Sequence, residues 1–200
     1  MIQWTIDAAM EVASKADIVV TTDDETVKAI CQKQGLSFID REKVLAQDES
    51  TTMDVVLDVM NRERYAGYDI VVLLQATSPL RNANHLQEAL SIFEMEQADS
   101  LVSVCRFDKD PRWAFTIKDQ RPDYLMSTHL SDIGFDISTP FYIPNGAIYI
   151  FRGQYLQKNA TFFDQKSVVY EMASWESIDI DLIHDFVIAE AILKNGNKIV

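Results

Sequence analysis

Two hundred residues, 48% of them hydrophobic and 24% charged, suffice for one well-buried domain and leave little room for a second. Eighteen basic against 31 acidic side chains give a formal charge of -13, which argues against nucleic acid or an anionic membrane surface as the main partner; a phosphate-bearing ligand would need local arginines or a divalent metal. No apolar run approaches a membrane span, the N-terminus lacks the basic start and apolar core of a signal peptide, and Cys31 and Cys105 have neither metal-ligand nor disulfide-framework spacing, so a cytoplasmic chain with reduced cysteines is expected.

In chain order, Ile2, Ile6, Ala9, Met10 and Ala13 fall near a 3.6-residue period and predict an opening helix. Residues 17–22 predict a short strand closing on Asp23-Asp24-Glu25, where the first carboxylate, Asp23, can cap the helix of Val27, Ile30 and Cys31. Gly35 stops that helix and 36–39 reads as the next strand, which implies a right-handed parallel crossover. The polar connection 40–50 leads to a helix through Val55, Val56, Leu57, Val59 and Met60, capped by Ser50, Thr51 or Thr52, in a unit that Gly67 ends. Four β-favouring residues, Val71 to Leu74, then give way abruptly to polar residues and Pro79, as a buried parallel strand does where it leaves its sheet. A helix through Leu86, Leu90, Ile92 and Phe93, capped by Asn82 or Asn84, and a strand at 100–105 follow. Strands alternating with helices predict an α/β fold with a mostly parallel sheet.

Residues 106–145 break this pattern. They hold four of the five prolines and one convincing strand, 113–117, and predict an insertion within a single domain spanning 1–200, serving as a lid or a partner-contacting arm. Asn145-Gly146 leads into a strand at 147–151, with a further strand at 168–172. A short strand at 178–181 precedes a last helix through Ile183, Phe186, Val187, Ala189, Ile192 and Leu193, with Gly196 as its stop.

Ligands of open α/β sheets lie beyond the carboxyl ends of the strands, where Gln75, Thr77, Ser78 and Arg81 offer an amide, two hydroxyls and a guanidinium. The same residues also fit a capped strand-to-helix turn with a solvated arginine. Asp179 and Asp181, one residue apart in a strand, point to one face and suit a Mg²⁺ shared with phosphate oxygens; Asp181 equally occupies a helix N-cap position. Asp23-Asp24 resembles the acidic pair of a phosphate-accepting receiver domain, but the further aspartate and lysine of such a site are missing. His85, His129 and His184 lack metal spacing and read as surface or capping residues. No nucleophile elbow or Cys-His pair occurs.

Collinear stretches resemble the acylneuraminate cytidylyltransferase family: TTDDE (21–25), LAQDESTT (45–52), LLQATSPLR (73–81), HLSD (129–132), NGAIYI (145–150) and SIDIDLIHDF (177–186). The resemblance implies a three-layer sheet of the nucleotide-diphospho-sugar transferase type, with helices on both faces. It implies a CTP-dependent enzyme that activates a nine-carbon 2-keto sugar acid of the sialic-acid type, giving the CMP-sugar and pyrophosphate. It makes Asp179 and Asp181 the Mg²⁺ ligands and Gln75 a catalytic contact to the sugar acid. Arg41 and Thr52 would line the nucleotide pocket, and Ser78, Arg81 and Asn145 complete the substrate-binding set. The insertion becomes a homodimer arm whose large apolar residues are Tyr124, Leu125, Met126, Phe135, Phe141 and Tyr142.

The chain departs from the family in two places. Nothing before Met1 supplies the opening strand and the RGGSKG-type loop that cradles a triphosphate, so a start at an internal methionine or a truncated copy is expected, with a gap or rearranged strand where that element belongs. In FDISTPFYIP the family's arginine-glutamine pair is missing, and no lysine or arginine lies between Arg121 and Arg152. The alternative reading is therefore an inactive or truncated homologue acting as a homo-oligomeric binding or regulatory protein.

Overall fold

The computed structural model describes residues 1–46, 50–62, 64–65, 67–107, 109–124, 140–159 and 161–195. Helix α1 (Ile2–Met10) opens the chain, and strands β1 (Val19–Thr22) and β2 (Ser37–Asp40) pair in parallel across helix α2 (Glu25–Gln34). Asp24, not Asp23, caps α2: its carboxylate accepts the amides of Thr26 (2.6 Å) and Val27 (3.3 Å), because a cap must immediately precede the first helical residue. Gly35 takes the left-handed φ of 70° that ends α2. Helix α3 (Thr52–Asn61) begins on a capping box in which Thr51 and Asp54 bond each other's backbone amides, and it closes at Asn61, ahead of Gly67. Strand β3 (Ile70–Leu73) leads into helix α4 (Ala83–Met95), capped reciprocally by Asn82 and His85.

Strand β4 (Ser100–Phe107) outruns its predicted end, and strand β7 (Phe141–Arg152) starts six residues before the predicted one. The two pair outward to Phe107 and Phe141, so the excursion between paired residues is shorter than 106–145. Within it, β5 (Phe115–Lys118) and β6 (Arg121–Tyr124) form an antiparallel hairpin, while Trp113 sits in a 3₁₀ turn. Asp119 and Gln120 hold positive φ of 50° and 62°, the two-residue hairpin geometry that Asn-Gly usually signals, and β6 escapes the sequence pattern for want of that signal. Helix α5 (Gly153–Asn159), also not anticipated, precedes β8 (Val168–Met172) and α6 (Ile183–Asn195). Residues 178–181 form no strand. HLSD, Leu125, Met126, Phe135 and Gly196 lie outside the described residues.

The larger sheet has the order β3-β7-β4-β8, with β4 and β8 parallel and β7 antiparallel to both neighbours. Alternation along β7 sends Ile148 and Ile150 into a core under α1 and α4, around Phe93 and Leu101, and Tyr149 and Phe151 to the opposite face under α3 and α5. Helices therefore cover both faces. The pair β1-β2 forms a separate sheet, covered on one face by α1 and α2 through Ile6, Cys31 and Leu36. Helix α1 contributes to the cores of both sheets, and a cavity lies between β1 and β3. Among the described residues no helix is long and apolar enough to cross a membrane.

Candidate active site

The exit of β3, the middle of β7 and the segment after β8 meet at Gly146. Gly146 has a φ of 74°, and a Cβ there would stand 2.6 Å from Gln75 Oε1, 3.4 Å from Asp179 Oδ2 and 3.7 Å from Ser78 Oγ. The left-handed backbone favours glycine, and any larger residue would also have to displace the end of the Gln75 side chain. The ladder between β4 and β7 shifts register between Val102 and Val104, and the irregularity turns residues 145–146 out of regular pairing. Buried Asn145 anchors the bend. Its Oδ1 accepts from Ser103 Oγ (2.6 Å) and the Ala147 amide (3.2 Å), while its Nδ2 donates to Ser177 Oγ at 2.9 Å. Ser103 Oγ in turn accepts the Ile148 amide at 2.8 Å.

Through Ser177 this network fixes the start of the acidic segment. The Ile180 amide then donates to the Thr77 carbonyl at 2.9 Å, which docks the segment on the β3 exit loop. Isolated bonds of this kind, rather than a strand ladder, hold residues 178–181, so the predicted strand is corrected to an irregular extension. Both aspartates are exposed, and neither carboxylate has a hydrogen-bond donor or cation against it among the described residues. Asp181 does not cap α6: Asp185 Oδ2 accepts the amides of Asp181 (3.2 Å) and Leu182 (2.8 Å) instead. The Tyr149 hydroxyl is pushed above its ordinary pKa, first by burial and then by the negative charge of Asp179.

A cavity of about 640 Å³ adjoins this point, and Gln75 and Thr77 line it together with Arg41, Thr51 and Thr52. Arg41 is held at the end of β1 by donating from Nη2 to the Thr21 carbonyl at 2.8 Å. Arg81 is placed differently from a solvated or ligand-facing arginine, being only 2% exposed. Its Nε donates to the Ala147 carbonyl (3.1 Å) and its Nη2 to Thr5 Oγ1 (2.8 Å) and the Gln75 carbonyl (3.0 Å), tying α1, the β3 exit and β7 together. Burial lowers its pKa to about 10, which leaves it protonated at neutral pH. Ser78 Oγ and Arg81 Nη1 are buried without a partner among the described residues.

A profile of the cytidylyltransferase family matches residues 1–199. The chain belongs to the cytidylyltransferase family. The N-acylneuraminate cytidylyltransferase of Streptococcus agalactiae serotype V is 35% identical over 192 residues, covering 94% of this chain and 45% of that protein. The CMP-N,N'-diacetyllegionaminic acid synthase of Legionella pneumophila is 29% identical over 203 residues, covering 97% of this chain and 85% of that protein. A solved CMP:2-keto-3-deoxy-manno-octonic acid synthetase complexed with CTP aligns with a TM-score of 0.64 at 17% identity, over 96% of this chain and 88% of that one. The last match shows the fold, a three-layer α/β sheet of the nucleotide-diphospho-sugar transferase type. The chain spans about half the length of the N-acylneuraminate cytidylyltransferases it matches.

On this cytidylyltransferase fold, the residues singled out in the sequence fall into three groups, with Asp181 exposed outside them, two residues beyond Asp179. Gln75, Ser78 and Asp179 converge on Gly146; Arg41 and Thr52 line the adjoining cavity; Arg81 and Asn145 lie beneath as buried positioning groups. Ser103 and Tyr149 were not foreseen. A serine in the middle of the apolar run SLVSVC was the available signal for Ser103, since a wholly buried hydroxyl needs a partner.

Proposed function

We propose that this chain carries a cytidylyltransferase site that activates a nine-carbon 2-keto sugar acid with CTP, releasing pyrophosphate. The supporting observation is the convergence of Gln75, Ser78 and Asp179 on Gly146, whose backbone is left-handed, next to a cavity edged by Arg41 and Thr52. In this reading Arg41 and Thr52 take the nucleotide and the Gln75 amide orients the sugar acid. The sugar's anomeric hydroxyl attacks the α-phosphorus of CTP; the new O–P bond forms as the bond to the β-phosphate oxygen breaks, and the hydroxyl proton passes to solvent. Such chemistry asks the protein mainly for alignment and charge neutralisation.

Mg²⁺ fits the donor set. The Asp179 carboxylate stands around Gly146 with the Gln75 amide oxygen and the Ser78 hydroxyl, which has no partner among the described residues, and these are the hard oxygens that this ion takes. Asp179 and Asp181 would hold it, and it would supply charge neutralisation on the phosphates and the departing pyrophosphate. The acidity of the chain makes that supply necessary. A homodimer belongs to the same reading, supported by Phe115, Ile117, Tyr142 and Ile143, which are exposed on the β5-β6 hairpin and the outer half of β7. A cytoplasmic location follows from CTP as substrate and fits the free Cys31 and Cys105.

The test is pyrophosphate release from CTP and Mg²⁺ with a panel of nine-carbon keto-sugar acids, for the chain and for Asp179→Asn and Asp181→Asn. We expect turnover with at least one acid and a loss of about a hundredfold or more in each variant. Undiminished turnover in both variants would return the pair to a structural role. No turnover with any acid would move the chain to the non-catalytic binding class.

A further inference from the structure

The acidic segment is held by a second route, through a histidine that the proposed chemistry leaves unused. His85, in the first turn of α4, is buried; its Nδ1 accepts the Asn82 amide at 3.3 Å while its own amide donates to Asn82 Oδ1 at 3.1 Å. A neutral imidazole that accepts at Nδ1 carries its proton on Nε2. That nitrogen faces Glu176 Oε2 at 3.4 Å, in the 3₁₀ turn Ser174–Glu176 that follows β8. The Glu176 side chain is only 19% exposed, and no other donor reaches its carboxylate among the described residues. One turn along α4, Glu88 Oε2 accepts from the Tyr170 hydroxyl of β8 at 2.6 Å. Burial, and then the bond to Glu88, push that hydroxyl well above its ordinary pKa, so it stays a donor, and its ring stands 6.3 Å from the His85 ring. Two side-chain pairs thus join α4 to β8 and to the turn after it.

That turn leads straight to the two aspartates. Within it the amides of Glu176 and Ser177 donate to the carbonyls of Ala173 (3.0 Å) and Ser174 (3.2 Å), and Ser177 Oγ donates to the Ala173 carbonyl at 2.9 Å. Displacing Glu176 therefore moves Ser177, and Asp179 lies two residues on. On the other side, the Asn82 amide that His85 accepts ends the loop carrying Gln75, Ser78 and Arg81. A helix cap uses only Nδ1. The pairing of Nε2 with a half-buried carboxylate serves the turn, not the helix. We propose that His85 is a positioning residue of the site: bonded to the β3 exit loop through Nδ1 and turned to Glu176 through Nε2, it sets the segment bearing Asp179 and Asp181 against Gln75 and Ser78. The inference rests on the reading of the two aspartates as Mg²⁺ ligands.

The experiment separates capping from positioning with His85→Ala, His85→Gln and Glu176→Ala in the 200-residue chain. Glutamine at the third helical position keeps a cap acceptor but has no imidazole to turn to Glu176. Mn²⁺ binding, followed by electron paramagnetic resonance, should weaken about tenfold in all three, as when other groups that orient metal ligands are removed. The double variant His85→Ala/Glu176→Ala should lose no more than either single one. Without metal, exchange of the Ile180 amide should quicken in all three, whereas exchange in the first turn of α4 should quicken only in His85→Ala. Unchanged Mn²⁺ affinity and Ile180 exchange in Glu176→Ala, or wild-type values of both in His85→Gln, would reduce His85 to a helix cap. Additive losses in the double variant would overturn the proposal as well, since the two residues would then act separately. Absence of Mn²⁺ binding by the unaltered chain would sink the metal reading instead, and Ile180 exchange alone would then decide whether His85 holds the segment.

Discussion

The two sheets draw on similar residues and reach different degrees of burial. In the larger sheet β4 and β7 are paired on both edges, and Phe93, Leu101, Ile148 and Ile150 around them are wholly buried. In the smaller sheet Val19 and Val20, just as β-branched, stay half-buried, and the cluster reduces to Ile6, Cys31 and Leu36. Pairing on both edges, more than apolar composition, decides where a core closes. The candidate site straddles the boundary. Its Gly146 half rests on the closed sheet and its Arg41 half on the open one.

The largest expected effect compares the two cores directly. Phe93→Ala, beneath the four-stranded sheet, should cost about 3–5 kcal/mol, whereas Leu36→Ala should cost about 2 kcal/mol, because its half-open surroundings can collapse. Urea titration of both variants measures this, and equal losses would break the distinction.

Next comes Gly146→Ala on the closed half. The left-handed backbone should cost about 1–2 kcal/mol, and the new methyl must displace the Gln75 amide. Pyrophosphate release should fall at least tenfold while the chain stays folded by circular dichroism. Retained turnover would mean that Gln75 need not be held where it stands.

On the open half, Thr51→Ala removes one side of the α3 capping box and should cost about 1 kcal/mol, with faster amide exchange confined to the first turn of α3.

The smallest effect is a dependence on pH. Asp24 and Asp54 are held below their ordinary pKa of 3.8, Asp24 mainly by the backbone amides of Thr26 and Val27 and Asp54 by the hydroxyl and amide of Thr51. A depressed carboxylate stabilises the fold above its unfolded pKa, and that contribution is lost as pH falls through the lower folded value. The first turns of helices α2 and α3 should therefore fray in acid below pH 3.8. Amide exchange measured across that range should speed up in the first turns of α2 and α3, and unchanged exchange there would contradict the role given to the two carboxylates.

Local chemistry was legible in the sequence. Gly35 as a helix stop, Thr51 and Asn82 within their cap choices, and the strand 168–172 all depend on neighbours a few residues away. The family was legible too, because six short stretches occur in one order along the chain. Other features required contacts across the chain. Strand β7 extends back to Phe141 through Pro144 because β4 is there to pair with it, and Arg81 is buried because Thr5 and Ala147, 76 and 66 residues away, accept its protons. Whether β1 would join β3 was equally a matter of tertiary structure: an alternating run of aliphatic residues states that a strand forms, but an edge is closed only by a neighbour that arrives from elsewhere.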